Sequence, residues 1–361
     1  MSEILNHTPL YTAHTKLNAR IVDFAGWAMP VMYAGILEEA RAVRTGVGIF
    51  DISHMGRVQV SGTGATAFLQ SITSNNVEKL TPPQAQYSLL TNPEGGIIDD
   101  IIVYREADES YLVVINASNT DKDLTWMRQH APDAITIEDN TLQTAMIAVQ
   151  GPAAPALIAK LANDPALLEC ARFSYSTGTI AGAIATFCRT GYTGEDGFEV
   201  IVPAEQAVAV WDALTEEGAV PCGLGARDAL RIEAGYPLYG HEIDDTTSPV
   251  EAGLMWAVDM NKPEFIGKDK IAAVKAAGTS KRLMGLVSTE RIQPRQGYTI
   301  YVDDTAVGIV TSGIFSPTRG HSLAMGYVAS AYAKTGTAVS IAIRDKRCSA
   351  IVVQKKTLLT S

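Results

Sequence analysis

Two neighbouring carboxylates, Asp99 and Asp100, interrupt the apolar run Ile97-Ile-Asp-Asp-Ile-Ile-Val-Tyr104. Side chains alternate along a strand, so the acids face opposite sides: Asp100 with Ile98, Ile102 and Tyr104, Asp99 with Ile97, Ile101 and Val103. A carboxylate on an apolar wall is costly unless something pairs with it. Such an acid is either a strand-end aspartate bonded to backbone or a ligand-facing group that accepts hydrogen bonds and takes a proton. A second constellation is Arg189-Thr-Gly-Tyr-Thr-Gly-Glu-Asp-Gly-Phe-Glu199, with three glycines, Tyr192 and three acids ahead of a strand at Val200 to Val202. Glycines at this density let a backbone approach a partner closely. A tight surface turn is the plainer alternative, although it asks for neither an aromatic nor an acid at the strand entry. Arg227, in Pro221-Cys-Gly-Leu-Gly-Ala-Arg-Asp228, stands at the entrance of a short helix. There a guanidinium can clamp a carboxylate bidentately or close a structural ion pair.

Several chemistries are disfavoured. The histidines, at positions 7, 14, 54, 130, 241 and 321, never pair at metal-ligand spacing, so no metal is expected. No G-x-S-x-G elbow is present. Gly62-Thr-Gly-Ala-Thr-Ala67 has the G-x-G-x-x-A form of a dinucleotide fingerprint, but the acid expected about 20 positions later is replaced by Lys79-Leu-Thr-Pro-Pro-Gln84, which favours a plain helix entry. A net charge of −10 argues against nucleic acid, which needs a basic face. Cys170, Cys188, Cys222 and Cys348 are scattered without a CxxC pair, which points to reduced thiols in a cytoplasmic setting. The N-terminal residues carry neither a signal core nor the arginines of a transit peptide. No apolar run is long enough to span a membrane.

The elements that must hold these residues are mixed. Ile36 to Arg44 reads as an amphipathic helix that stops at Gly46 and Gly48. Strands follow at Val58 to Val60 and Tyr87 to Leu90, with a helix between them carrying Phe68, Leu69 and Ile72. The turn Asn92-Pro-Glu-Gly-Gly96 then leads into antiparallel strands Ile97 to Tyr104 and Tyr111 to Ile115. Further on come a helix at Asp121 to His130, a strand at Met146 to Val149, a helix opened by Gly151-Pro152, and a capping box at Ser248-Pro-Val-Glu251. This order is α+β rather than a regular βαβ repeat. From about Arg282 six short strands separated by glycine and proline predict a separate all-β, barrel-like domain after a linker at Ala276 to Ser280.

Seven blocks in order resemble the folate-binding T-protein family of the glycine cleavage system. They are Asp23 to Pro30, Phe50 to Gly56, Gly95 to Asp100, Arg189 to Glu199, Gly223 to Asp228, Leu238 to Asp244 and Thr311 to Thr318. The resemblance spans nearly the whole chain. It implies an α+β, three-domain cloverleaf around a folate channel. The first domain would be residues 1–54 with 137–245, the second 55–136 with 246–276, and the C-terminal β-barrel-like domain 281–361. It also implies the reaction: an aminomethyl group on the lipoyl arm of H-protein gives its one-carbon unit to tetrahydrofolate, and ammonia is released.

By the same resemblance Asp100 is the functional aspartate beside the folate nitrogens, Glu199 and Tyr192 belong to the pterin pocket, Arg227 contacts folate, and Tyr87, Met55 and Asn116 line the channel. Family members commonly end in a Lys-x-Pro-aromatic-x-Arg type of tail, whereas this chain has Thr360 where the arginine would fall. Lys281, Arg282, Arg291 and Arg295 form the candidate basic patch for the acidic lipoylated partner. Two other functions compete: a tetrahydrofolate-dependent demethylase of a small methyl donor on the same fold, and a non-catalytic folate-binding module.

Overall fold

The computed structural model describes residues 4–360; residues 1–3 and 361, at the outer ends of the first and third expected domains, lie outside the described residues. The chain divides into one unit holding residues to Gln70, Val77–Tyr87 and Ile101–Asp228, and another holding Ser71–Asn76, Ser88–Asp100 and the chain from Ala229 onward.

A six-stranded sheet dominates the first unit. Its order is Tyr175–Ile180, Ala183–Cys188, Gly197–Pro203, Thr144–Gln150, Gly48–Asp51 and Val220–Pro221, antiparallel except for the last pair. Alternation places Ile147, Val149, Phe198 and Val200 in one buried cluster with Ala154, Leu157 and Ile158 of the helix Ala154–Leu161. Ala207, Val210, Trp211 and Leu214 recur at helical spacing and bury one face of the helix Ala207–Glu216 in the same cluster. A hairpin, Arg20–Phe24 with Trp27–Met32, turns at Ala25 and Gly26, both at positive φ. The Gly26 N–H donates to the Asp23 carboxylate, which explains the Asp23-Phe-Ala-Gly block as turn chemistry.

A five-stranded sheet runs Ala85–Thr91, Ile97–Ala107, Ser110–Ile115, Gly56–Ser61 and Thr136–Asp139. The helix Ala65–Ile72 that follows Gly62 and Gly64 is entered through packing and capping within the chain. Gly62, at φ +116°, lies so near the Ala134 carbonyl that a Cβ would collide with it, and the Glu109 carboxylate accepts from the Thr66 N–H at the helix entry. The entering strand Gly56–Ser61 pairs antiparallel on both sides, not in a parallel crossover.

In the second unit the strands Lys281–Ser288, Thr299–Val302, Thr305–Phe315, Ser322–Ala329, Ala338–Ile343 and Lys346–Val353 close into a barrel. Leu286, Ile300, Val310, Val328, Ile341 and Val352 fill it. The α+β reading and the C-terminal β-barrel thus hold. The capping box forms its bonds, Ser248 N–H to Glu251 and Val250 N–H to the Ser248 hydroxyl, yet no α-helix follows: the chain turns through Gly253, at φ +66°, into the three-residue 3₁₀ helix Met255–Ala257. Ala276 and Ala277, expected in the linker, instead finish the helix Lys268–Ala277, which the Gly278 turn ends.

The turn before Asp100 is also built within the second unit. Asn92 closes it, accepting from the Gly96 N–H and donating to the Asp245 carbonyl. Gly96 packs so close to Asp245 that any side chain would collide with its carbonyl. The Ile97 N–H reaches the carbonyls of Asp244 and Thr247, both at 3.1 Å. This anchoring sets the phase of the strand, with Asp99 fully buried and Asp100 half-buried.

Candidate functional site

The loop from Arg189 to Glu199 is held at four points, and they separate its three acids by role. Arg189 grips Asp196 with two bonds, 2.9 and 2.7 Å, and stacks over Phe198. Arg44 donates to the Thr193 carbonyl at 2.7 Å and to Glu195 at 2.9 Å. Gln150 accepts from the Thr193 hydroxyl and donates to the Thr190 carbonyl. Its amide fills the space where a side chain on Gly191 would sit. Glu195 and Asp196 are therefore structural ion-pair partners. The third acid is in a different situation.

Glu199 sits on the strand Gly197–Pro203, 9% exposed. Its Oε2 accepts from the Thr190 hydroxyl at 2.6 Å, and Thr190 Oγ1 lies 2.8 Å from the Tyr104 hydroxyl. Burial pushes the Glu199 carboxyl up, while the Thr190 hydrogen bond and the Arg227 cation oppose that rise. Arg227, in the helix Leu224–Ala234, lies with its guanidinium carbon 4.3 Å from the Tyr192 ring centroid. The structure therefore brings Glu199, Arg227 and Tyr192 together in the first unit.

Met55 and Asn116 are half-buried in the same unit. Met55 belongs to a corner organised by the buried Arg57. That guanidinium donates to the carbonyls of Ser53 at 2.7 Å, Thr144 at 2.9 Å, Met55 and Thr141. His54, between Ser53 and Met55, is buried with an unpartnered Nδ1, and burial followed by the Arg227 and Arg57 charges drives its pKa down to about 3, against a pull from Asp51. The imidazole is therefore neutral at physiological pH. Asn116 closes a turn by accepting at its carbonyl from Asn119 N–H. Tyr87 is half-buried on its strand.

Asp100 belongs to the second unit and is the more accessible acid of its pair. Lys281, Arg282, Arg291 and Arg295 are all exposed; Lys281 lies over Tyr327 and Arg291 over Phe315. Among the described residues no group of three or more His, Cys, Asp or Glu could hold a metal ion. Thr190, Tyr104, Gln150 and Arg57 escaped the sequence reading. Thr190 and Tyr104 lay in stretches singled out there but were given no role of their own, since a threonine beside an arginine and a tyrosine closing an apolar strand carry no distinctive spacing signal.

Residues 10–262 match the GCVT N-terminal domain and residues 281–357 the glycine cleavage T-protein C-terminal barrel domain. The chain is 46% identical to the aminomethyltransferase of Chloroherpeton thalassium, over 97% of this chain and 98% of that protein. It is 44% identical to that of Desulforamulus reducens, over 97% of each. A crystal structure of the glycine cleavage system aminomethyltransferase T from Bartonella henselae superposes with a TM-score of 0.92 at 34% identity, covering 98% of both chains. The chain therefore belongs to the glycine cleavage T-protein family, a family of aminomethyltransferases, and is an enzyme of that class.

Proposed function

We propose that this enzyme takes the aminomethyl group from the lipoyl arm of H-protein and joins its carbon to tetrahydrofolate as the 5,10-methylene form. The two folate N–H protons leave as the carbon becomes bound to both nitrogens; one accompanies ammonia and the other restores the lipoyl thiol. The observation that carries this reading is the grouping of Glu199, Arg227 and Tyr192. A buried carboxylate accepts the adjacent N–H donors of a 2-amino-4-oxo pyrimidine ring, and a guanidinium set over a phenol ring offers a cationic wall.

Asp100 is proposed as the group that orients the reacting folate nitrogens and takes up a proton as nitrogen attacks carbon. Tyr87, Met55 and Asn116 are proposed as lining residues, and Lys281, Arg282, Arg291 and Arg295 as the surface that meets H-protein. The three-domain division is part of the same reading. It is supported by the six-stranded sheet falling within residues 1–54 and 137–245, and by the barrel falling within 281–361. The five-stranded sheet falls in the second domain apart from its edge strand, Thr136–Asp139, which straddles the boundary. A cytoplasmic setting fits the free thiols.

The relatives are aminomethyltransferases, which supports this function over the demethylase. The test is turnover measured with and without lipoylated H-protein and tetrahydrofolate. Formation of methylene-tetrahydrofolate only when both are present is the expected result. Equal one-carbon transfer from a free methyl donor without H-protein would overturn it.

A further inference from the structure

We propose that Tyr104 and Thr190 are positioning residues that hold Glu199 as an oriented carboxylate, so that they set the lower pH limit of folate binding. The inference rests on the pterin role of Glu199 proposed above and adds two residues that do not themselves touch the ligand.

The direction of the bonds follows from proton inventory. An ionised carboxylate only accepts, so the proton in the 2.6 Å bond between Thr190 and Glu199 comes from Thr190. A threonine hydroxyl has a single proton; with that proton committed, Thr190 Oγ1 must accept in its 2.8 Å bond with the Tyr104 hydroxyl. Tyr104 is 1% exposed, and burial raises its phenol well above the ordinary range, so it keeps the proton it donates. The donors run one way, from Tyr104 through Thr190 to Glu199.

That order has two consequences for Glu199. It fixes Oε2 toward the protein, leaving Oε1 as the oxygen for a ligand. It also favours the charged form, because an ionised carboxylate accepts the Thr190 proton more strongly than a neutral carboxyl does. The groups that act on Glu199 are burial, the Thr190 hydroxyl and the Arg227 cation. Tyr104 and Cys188 lie near enough to feel its charge, and burial keeps the Cys188 thiol protonated. With Cys188 neutral, Thr190 and Arg227 are the two supports of the carboxylate. The strands that present these groups are rigid: Tyr104 lies mid-strand opposite Leu112, and Glu199 pairs with Ala148 on one side and Cys188 on the other. Thr190 sits in the loop whose carbonyl Gln150 holds.

The experiment uses the full-length protein with Thr190→Val, which keeps the shape and removes the hydroxyl, Thr190→Ser, which restores it, and Tyr104→Phe. The Glu199 carboxyl is titrated by carbon-13 NMR without ligand, and tetrahydrofolate binding is measured by calorimetry across pH. Thr190→Val should raise the Glu199 pKa by about one unit and move the acid limb of binding upward equally, so that binding on that limb weakens by about tenfold. Thr190→Ser should return both to wild type, and Tyr104→Phe should shift both in the same direction by less. A purely structural role would lower affinity at all pH values without moving the limb. An unmoved Glu199 titration in Thr190→Val, or in Tyr104→Phe should the first variant fail to fold, overturns the inference. Failure of the underlying site reading looks different: Glu199→Gln would then bind tetrahydrofolate as tightly as wild type, whatever the Thr190 variants do.

Discussion

The Arg227 guanidinium carbon lies over the Tyr192 ring, 4.3 Å from its centroid, while its charge bears on the buried carboxylate of Glu199. One cation therefore joins an aromatic wall to an acid. Removing it would take away the proposed ligand surface and one of the two supports of the Glu199 charge. Arg227→Ala should weaken tetrahydrofolate binding by about 10- to 100-fold, the loss of one charged contact of about 1.5–3 kcal/mol. Arg227→Lys should recover only part of it, since an ammonium cannot reproduce the planar fork. Calorimetric titration with unchanged affinity in Arg227→Ala would remove this residue from the site.

Asp99 and Asp100 should separate by the quantity they disturb. Asp100 is half-buried and Asp99 wholly so. Asp100→Asn is expected to keep the fold and lower turnover by about 100-fold, in the range for a lost acid–base or positioning group. Asp99→Asn alters a fully buried polar group, so its effect should appear as a lower melting temperature, with turnover per folded molecule largely kept. Comparison of kcat and thermal midpoints for the two variants checks both statements.

A stability effect at low pH should come from Asp51. Its carboxylate, 2% exposed, accepts from the Thr8 hydroxyl at 2.6 Å, the Ser53 N–H at 2.9 Å and His14 Nε2 at 2.8 Å; His14 Nδ1 is in turn bonded to the Tyr33 hydroxyl. Burial alone would raise the Asp51 pKa, but the bond to His14 and its charge, with the Ser53 and Thr8 bonds, bring it down to about 2. A folded-state pKa below the unfolded value of about 3.9 adds stability that is complete above pH 4 and lost as pH falls toward 2. The amount is about 2–3 kcal/mol. Urea unfolding at a series of pH values should show this acid decline in the wild type. The decline should be shallower in Asp51→Asn, which is also less stable at neutral pH.

The basic patch makes a prediction about salt. Reversing charge at Arg282 and Arg295, both exposed, should reduce H-protein-driven turnover at low ionic strength and flatten its dependence on salt. Tetrahydrofolate affinity should stay as it is. An unchanged salt dependence would place the partner's docking surface elsewhere.

The missing terminal arginine bears on the folate tail. Lys355, in the turn after the last barrel strand, is half-buried, and burial lowers its pKa while the Glu242 charge works against that. A partly desolvated ammonium binds a carboxylate better than an exposed one, so Lys355→Met is expected to weaken binding of the glutamate-bearing ligand by several-fold. Thr360→Arg should strengthen it modestly. A pterin without the glutamate tail should be indifferent to both changes when titrated in parallel.

The barrel was legible in the sequence because its strands read as alternating runs separated by turn-forming residues, a pattern set by local sterics and burial on one face. The same alternation divides Asp99 from Asp100 without any knowledge of neighbours. The seven blocks carried the family, since their order survives whatever the chain does in space. What the sequence could not decide was which acid of the loop from Arg189 to Glu199 is left for chemistry. Glu195 is tied to Arg44, 151 positions away, and Asp196 to Arg189 only because the loop folds back on itself. The donor chain into Glu199 likewise needs Tyr104, 86 positions from Thr190 and on a different sheet. Hydrogen bonds of this length depend on strand register and loop closure to within a few tenths of an ångström, and no spacing along the chain encodes that. The capping box at Ser248 shows the converse: its local bonds formed as the sequence prescribes, and the surrounding chain still allowed only a turn and a three-residue 3₁₀ helix to follow, not an α-helix.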